Sequence, residues 1–491
     1  AEAAKAAWEN AEPRLPVRGT GEPRAAMLRM LRQDLLISLE LSGPLMRINA
    51  NAYGDFDATL QPGLDGLLAA LGDHVGAVFP GTAASGNIMP SEAARRSVGI
   101  VAAIARGDAG GGATVVLTEP AELEKKQGIT LYRFRTTHVA QWRADKGPEL
   151  LYRGQKLVLQ SDVDQVAELW HTADRLAGHL ANRTGGWMEQ TVSLATGATE
   201  TPDEPAFSVA VAKVALDRYL AARGNDAIAD SVRARLPRWE SALATRAQLV
   251  ESPTVDAGAL LAGSPITTAA AARLHASVAA ADPLSEHSII AFALVSTSSA
   301  PGLWPEAAAD GRSLTRRVFS RCTPGTLGSH MPWIGWAELD ARSRDKVEDL
   351  PSAPALREMR NLIWKHQFQA VDAGPDGQDM VGGIVVPGSN RPLPTWQTAR
   401  LVAFLGTMLG EPALTSKQER GAEVVKLLGA ARYLRQLQVD DSLGWLCNDA
   451  TMAKGGLRNA TWDQRTQADG TAMGLLAVLE IIKGIEKASA D

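Results

Sequence analysis

The sequence predicts a small α+β domain over residues 1–160, followed by an all-helical domain of helical hairpins over residues 161–491. Short runs rich in β-branched and aromatic residues indicate strands in the first part. In the second part, an amphipathic helix pattern leads three times into a Gly-Gly pair. Each pair is followed by a polar stretch and then by a helix that is apolar nearly all round.

In the first domain, residues 35–41, 114–117 and 129–134 are short runs bounded by Gly, Pro and Asn, which is typical of strands. Between them, residues 91–106 have helical spacing. The glycine-rich residues 107–112 then form a break between elements. Strands interrupted by a single helix favour an α+β fold.

In the second domain, each copy pairs two kinds of helix. A helix that is apolar on one stripe covers a core, whereas one that is apolar all round must be enclosed by other helices. Units that cannot bury their own faces have to stack. The copies are residues 163–180, Gly185-Gly186-Trp187 and residues 205–220; residues 356–368, Gly382-Gly383 and residues 394–409; and residues 424–437, Gly455-Gly456-Leu457 and residues 469–485.

Composition excludes some function classes. The chain has 491 residues, is 45% hydrophobic and carries a formal net charge of -5. It has no long run of one charge sign, and nucleic-acid binding needs a basic patch, so we expect no nucleic-acid partner. No stretch of 18 or more apolar residues occurs, so we expect no membrane span.

The sequence starts Ala1-Glu2-Ala3 without Met, which is typical of a secreted protein after signal cleavage and also of a trimmed expression product. The expected location is periplasmic or extracellular, and a cytoplasmic location stays open. The two cysteines, Cys322 and Cys447, allow at most one disulfide.

Residues 60–67 and 76–80, followed by a helix, are a glycine-flanked apolar pair of strands that ends at Pro80. This pattern resembles the second half of the AMMECR1-type domain and covers about residues 35–106. The first half of that family, with its Arg-Gly-Cys-Ile-Gly signature, has no counterpart here. Because the family has no settled activity, the resemblance implies a fold only.

The segment from about 160 to 487 resembles the α/α toroid of squalene cyclases and prenyltransferase subunits. Those families repeat a helix ending in Gln, a Gly-Gly turn and an Asp-x-Thr-Ala start to the next helix. The matching stretches are residues 179–187, 374–383 and 437–456, with Trp462 and Asp469-Gly470-Thr471-Ala472 beyond them. The resemblance implies that the helical hairpins close into an α/α toroid.

Few residues of this sequence match the catalytic residues of these families. Cyclases use a central acid in an Asp-x-Asp-Asp run, and the nearest stretches are residues 162–165 and 439–442, at predicted helix ends where carboxylates cap. Aromatic content of 5% also argues against an aromatic-lined cyclase cavity. Zinc would need three ligands. The candidates lack a tight ligand spacing, so we predict no metal and no cofactor; they are Cys322, His330, His366, Cys447 and Asp449.

Glycan chemistry has candidates near the Gly-Gly turns. Glycoside hydrolysis needs two carboxylates, and aromatic rings stack on sugar faces. The candidate catalytic acids are Glu189, Asp449, Asp463 and Asp469, and the candidate substrate-binding residues are Trp187, Trp396, Trp445 and Trp462. Two structural alternatives stay open: the Trp rings pack hairpin on hairpin, and Asp469 caps a helix.

Three functions remain in view. No motif assembles a complete catalytic set, which favours a non-catalytic binding or scaffold protein with an unknown protein or glycan partner. A carbohydrate-active enzyme of the hydrolase or lyase type, with a cleft at the Gly-Gly end, is the alternative. A terpene- or prenyl-type enzyme is the second alternative and is the closest by fold resemblance. It comes last because fold alone does not determine function.

Overall fold

The structure is a computed structural model that describes residues 38–107, 118–141, 147–183, 188, 190–201, 205–247, 251–280, 284–346, 349–374, 377–386 and 392–490. The chain divides into two compact units. The first comprises Ala1–Leu157, Asp440–Ala450 and Trp462–Gln464, and the second comprises the remainder. A small N-terminal sheet region is therefore followed by a mostly helical part, as the sequence predicts. The boundary at residue 160 and the toroid stay predictions.

The first unit is built on an antiparallel seven-stranded sheet. Its longest strand pairs with four others, and its edge hairpin turns through Gly72, whose positive φ of 58° suits the first position of a two-residue turn. The strand predicted at residues 129–134 lies in this longest strand. The strands are β1 (Ser38–Ser42), β2 (Met46–Arg47), β3 (Asp65–Leu71), β4 (His74–Val78), β5 (Thr130–Ala140), β6 (Glu149–Tyr152) and β7 (Gln155–Lys156).

Four helices accompany this sheet among the described residues: α1 (Gly54–Thr59), α2 (Pro80–Ser85), α3 (Pro90–Ala105) and α4 (Pro120–Gln127). Helix α3 contains most of the helix predicted at residues 91–106 and packs against β3 and β4. Gly76 of β4 permits this packing, because a Cβ there would lie 2.5 Å from the carbonyl oxygen of Ser97. The strand predicted at residues 114–117 lies outside the described residues.

The second unit is helical apart from a small sheet of β8 (Thr191–Ser193), β9 (Thr199–Glu200) and β10 (Arg465–Thr466). The short helix α19 spans the division between the units. The helices are α5 (Val166–Asn182), α6 (Pro205–Arg223), α7 (Ala227–Arg233), α8 (Leu236–Ala247), α9 (Pro253–Leu261), α10 (Thr268–Ala279), α11 (Leu284–Ser296), α12 (Ala307–Arg321), α13 (Pro324–Leu327), α14 (Trp333–Asp345), α15 (Ala353–Lys365), α16 (Ala370–Ala373), α17 (Thr398–Leu409), α18 (Lys417–Leu437), α19 (Ala450–Ala453) and α20 (Ala468–Ala490).

Four of these helices are buried on nearly every side, namely α6, α11, α17 and α20, and we call them the enclosed helices. Helix α20 packs against α17, α6 and α5, while α11 packs against α12, α14 and α9. Three enclosed helices and the one-sided helices α5, α15 and α18 lie where the sequence predicts them. Helices α7 to α14 lie between the first two predicted copies, and the recurrence does not predict them.

The second and third Gly-Gly turns share one hydrogen-bond pattern. In each, the turn pairs with the residues just after the preceding one-sided helix, and a Thr hydroxyl at the start of the next enclosed helix accepts a backbone N–H. The matching bonds are Gly382 N to Phe368 O (2.8 Å) and Gly455 N to Val439 O (2.9 Å); Phe368 N to Gly383 O and Val439 N to Gly456 O (both 2.8 Å); and Ile384 N to Thr398 Oγ1 (3.0 Å) and Leu457 N to Thr471 Oγ1 (3.1 Å). The first turn, Gly185-Gly186-Trp187, lies outside the described residues.

Backbone geometry explains the first glycine of each pair. Gly382 and Gly455 have positive φ angles of 89° and 86°. A Cβ on Gly382 would lie 1.9 Å from the carbonyl oxygen of Gly429, and one on Gly455 would lie 2.4 Å from that of Arg175. Only glycine fits a left-handed conformation this close to a neighbouring helix.

A glutamine at the end of the preceding helix completes each turn. The Gln367 amide donates to the carbonyl of Lys426 in α18 at 2.8 Å, and the Gln438 amide donates to the carbonyl of Thr172 in α5 at 3.1 Å. The same contact therefore links the end of α15 to α18 and the end of α18 to α5.

Candidate functional site

The described residues that the sequence proposes as a site belong to both units. Asp469 and Trp396 belong to the second unit. Gly470, which follows Asp469 in the chain, lies against Trp396, because a Cβ on Gly470 would be 3.4 Å from Trp396 Cδ2. Trp187 and Glu189 lie outside the described residues. The other four candidates, Trp445, Asp449, Trp462 and Asp463, belong to the first unit.

Trp445 and Trp462 have packing roles within the first unit. The Trp445 indole N–H donates to the carbonyl of Gly154 at 3.0 Å, and its ring meets His138 edge to face at a centroid distance of 5.4 Å. Trp462 is 9% exposed. Trp445 thus packs against the sheet region of the first unit rather than between helical hairpins. Asp449 is exposed and Asp463 is half-buried.

Asp469 is a half-buried carboxyl in the first turn of α20, which begins at Ala468. It lies inside the helix, one residue after the first helical position, and therefore does not occupy the N-cap position of the capping alternative. Its Oδ1 accepts the Gly470 N–H at 2.8 Å. Burial raises the pKa of Asp469, and the backbone N–H bonds and the positive charges of Arg183 and Arg400 do not offset it.

Arg183 follows the last turn of α5 and is 1% exposed. Its guanidinium donates to the carbonyl of Gln190 at 2.7 Å and to His179 Nε2 at 3.2 Å. Burial lowers the pKa of Arg183 to about 10, and Asp469 opposes this change. The side chain therefore remains a cation at neutral pH.

His179 is neutral, and its tautomer follows from its neighbours. Because an arginine can only donate, His179 Nε2 accepts from Arg183, and the Nδ1–H faces the Lys454 carbonyl at 3.3 Å. Burial, followed by the charge of Arg183, lowers the pKa of His179 to about 3. The ring thus adds no charge beside Arg183.

Arg400, in the first turn of α17, is a second half-buried cation at the same charged cluster. It donates to the carbonyl of Ser329 at 3.0 Å and to Gln397 Oε1 at 3.3 Å. Burial lowers the pKa of Arg400, and Asp469 raises it. The two arginines and Asp469 therefore carry an excess of positive charge.

A neutral hydrogen-bonded pair lies within the electrostatic reach of Arg400. The Ser288 hydroxyl, near the start of α11, lies 2.8 Å from His330 Nδ1. Burial lowers the pKa of His330, and the charges of Arg400 and His287 lower it further. The amino-terminal ends of three enclosed helices, α11, α17 and α20, thus supply Ser288, Arg400 and Asp469.

A cavity of about 430 Å³ lies against Arg400, and we call it the Arg400 cavity. Its wall is mainly apolar and includes a few polar side chains. The apolar members are Pro324, Met359, Leu362, Ile363, Ile384, Val385, Val386 and Leu401, and the polar side chains are Thr326, Ser329, His366, Gln397 and Arg400. Apolar concave sites of this size with a few placed polar groups are typical of ligand sites.

Arg400 is not among the site residues that the sequence predicts, although the sequence around it is unusual. Arg400 is the one charged residue between positions 394 and 409, in a helix that is otherwise apolar. Charged residues in enclosed helices are rare unless they have a partner or a task. No such signal marks Arg183, because it follows α5, a one-sided helix that carries several other charged residues.

The acidic runs considered for cyclase chemistry hold turns. The Asp162 carboxylate accepts the Leu159 N–H at 2.8 Å, and Asp440 accepts the Ser442 N–H at 3.0 Å. Both therefore cap short helices, as the sequence predicts. Cys322 and Cys447 are both free thiols in half-buried positions.

Within the described ranges, no three His, Cys, Asp or Glu side chains gather in a group that could hold a metal ion. No helix in the part of the chain that the structure describes combines the length and apolarity needed to cross a membrane.

Comparison with known proteins gives no relative. No family model matches the chain, and neither the curated proteins nor the solved structures provide a match.

Proposed function

We propose that the second unit is an α/α toroid of the squalene cyclase and prenyltransferase-repeat type. Two observations support this architecture. The Gly-Gly turns at Gly382 and Gly455 share a hydrogen-bond pattern, and Gln438 links the last one-sided helix back to the first. A ring in which the last unit meets the first requires such a contact. The AMMECR1-type resemblance of the first unit stays a prediction.

On this architecture, the protein is a non-catalytic binding protein for a small anionic ligand, and the site lies at the amino-terminal ends of the enclosed helices. The observation that carries the proposal is Arg400, a half-buried cation in the wall of a 430 Å³ cavity. A guanidinium has five donors in a planar fork and binds carboxylate or phosphate through two parallel bonds. Arg183 adds a second cation to the cluster.

The test is a calorimetric titration of the full chain with a panel of small anions, covering aliphatic carboxylates, a hexuronate and inorganic phosphate. Arg400→Gln removes the cation, and we expect at least a tenfold loss of affinity for the anions that bind. Arg357→Gln is the matched control, because Arg357 is exposed on α15 and does not line the cavity. Binding by none of the anions, or equal binding by Arg400→Gln, would reject the proposal.

A carbohydrate-active enzyme is the second candidate, and Asp469 favours it. Burial shifts the pKa of Asp469 upwards, the direction that a general acid needs, and Trp396, which lies against the adjacent Gly470, offers a face for a sugar. The test measures new reducing ends or unsaturated products from a polysaccharide panel. Asp469→Asn keeps the shape and removes the acid, so it should abolish turnover while preserving binding; turnover that survives in this variant excludes the role.

A further inference from the structure

We infer that the Arg400 cavity takes an amphipathic carboxylate, with its carboxylate on Arg400 and its aliphatic chain along the apolar wall. The inference rests on the proposed binding function and names the class of ligand. Three features of the cavity support it: the apolar residues of its wall, the positive charge of Arg400, and the N–H donors of the Arg400 guanidinium.

The wall suits a hydrocarbon chain. Helix α15 contributes Met359 and Ile363, the segment after the second Gly-Gly turn contributes Ile384, and α17 contributes Leu401. These side chains are 1% to 8% exposed, so they form a fixed surface rather than a mobile rim. Burying methylene groups against such a surface is favourable.

A sugar suits the same wall poorly. Each hydroxyl that leaves water must find a hydrogen-bond partner or pay the desolvation penalty. The eight apolar lining residues, Met359 and Leu401 among them, offer side chains of hydrocarbon and one thioether sulfur, none of which replaces a hydroxyl's hydrogen bonds to water. A ligand with one polar end and one apolar end avoids this penalty.

The charge of Arg400 favours an anionic ligand. Arg400 is the one permanently charged side chain among the described residues that line the cavity. Gln397 and Ser329 hold its guanidinium in place through two hydrogen bonds. Two of its five N–H groups make these bonds, so the remaining donors suit a carboxylate. Holding the guanidinium in place before binding reduces the entropy lost on binding.

The experiment measures affinity along a homologous series, acetate, butanoate, hexanoate and octanoate, by titration calorimetry on the full chain. We expect the affinity to rise about three- to fourfold for each added methylene until the cavity is filled. For the wild type, octanoate should bind at least tenfold more tightly than octanol. For Arg400→Gln, the two should bind within about threefold of each other, because the carboxylate has lost its partner.

A second variant tests the wall independently. Leu362→Trp places a larger side chain at a half-buried lining position. Because this reduces the space for the aliphatic chain, octanoate should lose more affinity than acetate. The thermal midpoint of this variant shows whether it folds, and Arg357→Gln remains the control.

The outcomes separate this inference from the proposed function. If the hexuronate or phosphate binds through Arg400 while affinity does not change with chain length, the inference is overturned and the binding function stands. If longer chains bind more tightly but Arg400→Gln binds them as well as the wild type does, the placement of the carboxylate is overturned. If none of the tested anions binds, both fail.

Discussion

At the residue scale, His179 shows how burial converts one side chain into a pH sensor of stability. Its pKa is lowered to about 3 in the folded chain, against 6.5 for an ordinary histidine. As the pH falls from 6.5 towards 3, His179 therefore becomes protonated in the unfolded chain but stays neutral in the folded chain. The stability contributed by neutral His179 is complete above pH 6.5 and is lost across that window.

The measurement is the free energy of unfolding in urea at pH 7.5, 5.5 and 4.0, for the wild type and for His179→Gln. We expect the wild type to lose up to about 1.4 kcal/mol per pH unit from this group within the window. The variant can still donate and accept hydrogen bonds but cannot titrate, so its curve should fall less steeply. Parallel curves would show that His179 does not control this dependence.

Two glycines of opposite kind provide a second test at this scale. Gly382→Ala places a Cβ 1.9 Å from a backbone oxygen at a φ of 89°, so we expect a loss of at least about 2 kcal/mol in unfolding free energy. Gly421→Ala is the control, since its Cβ would meet nothing within 4 Å in the second turn of α18. That variant should gain about 0.5 to 1 kcal/mol. A neutral Gly382→Ala would contradict the close packing of the turn.

At the element scale, the glutamines after α15 and α18 join neighbouring helices. The Gln367 side chain is 6% exposed and donates to the carbonyls of Gly382 and Lys426. Gln367→Leu keeps the approximate volume but leaves two buried carbonyls without this donor. We expect a loss of about 1 to 3 kcal/mol by urea unfolding.

The control for this prediction is Gln418→Leu, in the exposed first turn of α18. Its effect should stay within about 0.5 kcal/mol. Equal effects from the two substitutions would mean that the amide of Gln367 does not link the helices.

The sequence predicts these elements unevenly, for a physical reason. Helices α5, α15 and α18 each have one buried face, which leaves a helical period in the sequence. The glycine pairs mark turns that come later in the chain, between α15 and α17 and between α18 and α20. Helices α7 to α14 do not follow the Gly-Gly recurrence, so the recurrence does not predict them. The candidate acids and Trp residues stay predictions as a site, whereas Arg400 and His330 depend on tertiary contacts between α11, α17 and the turn at Gly328–His330, which spacing does not show.

At the scale of the whole molecule, the first unit depends on residues far away in the chain. Trp445 lies against Gly154 and His138, and the Ser442 hydroxyl accepts the Lys156 N–H at 3.1 Å. In the full chain, Trp445→Ala should remove up to about 3 kcal/mol of local stability. We expect faster amide hydrogen exchange in peptides covering residues 136–140 and 150–156, measured by mass spectrometry.

Peptides from α17 and α20 serve as the internal reference for this exchange experiment, because they belong to the other unit. Faster exchange confined to residues 441–447, with no change in β5 or β6, would contradict the packing role of Trp445.

The same division of the chain has a consequence for synthesis. The first unit includes Asp440–Ala450 and Trp462–Gln464, so residues 158–439 must be translated before its last pieces exist. At about 5 to 20 residues per second, the ribosome needs on the order of 15 to 60 s for that interval. During this time the sheet lacks Trp445, and the surface that Trp445 later covers stays open to chaperones or to another nascent chain. The C-terminal part of the gene therefore decides when the N-terminal part is finished.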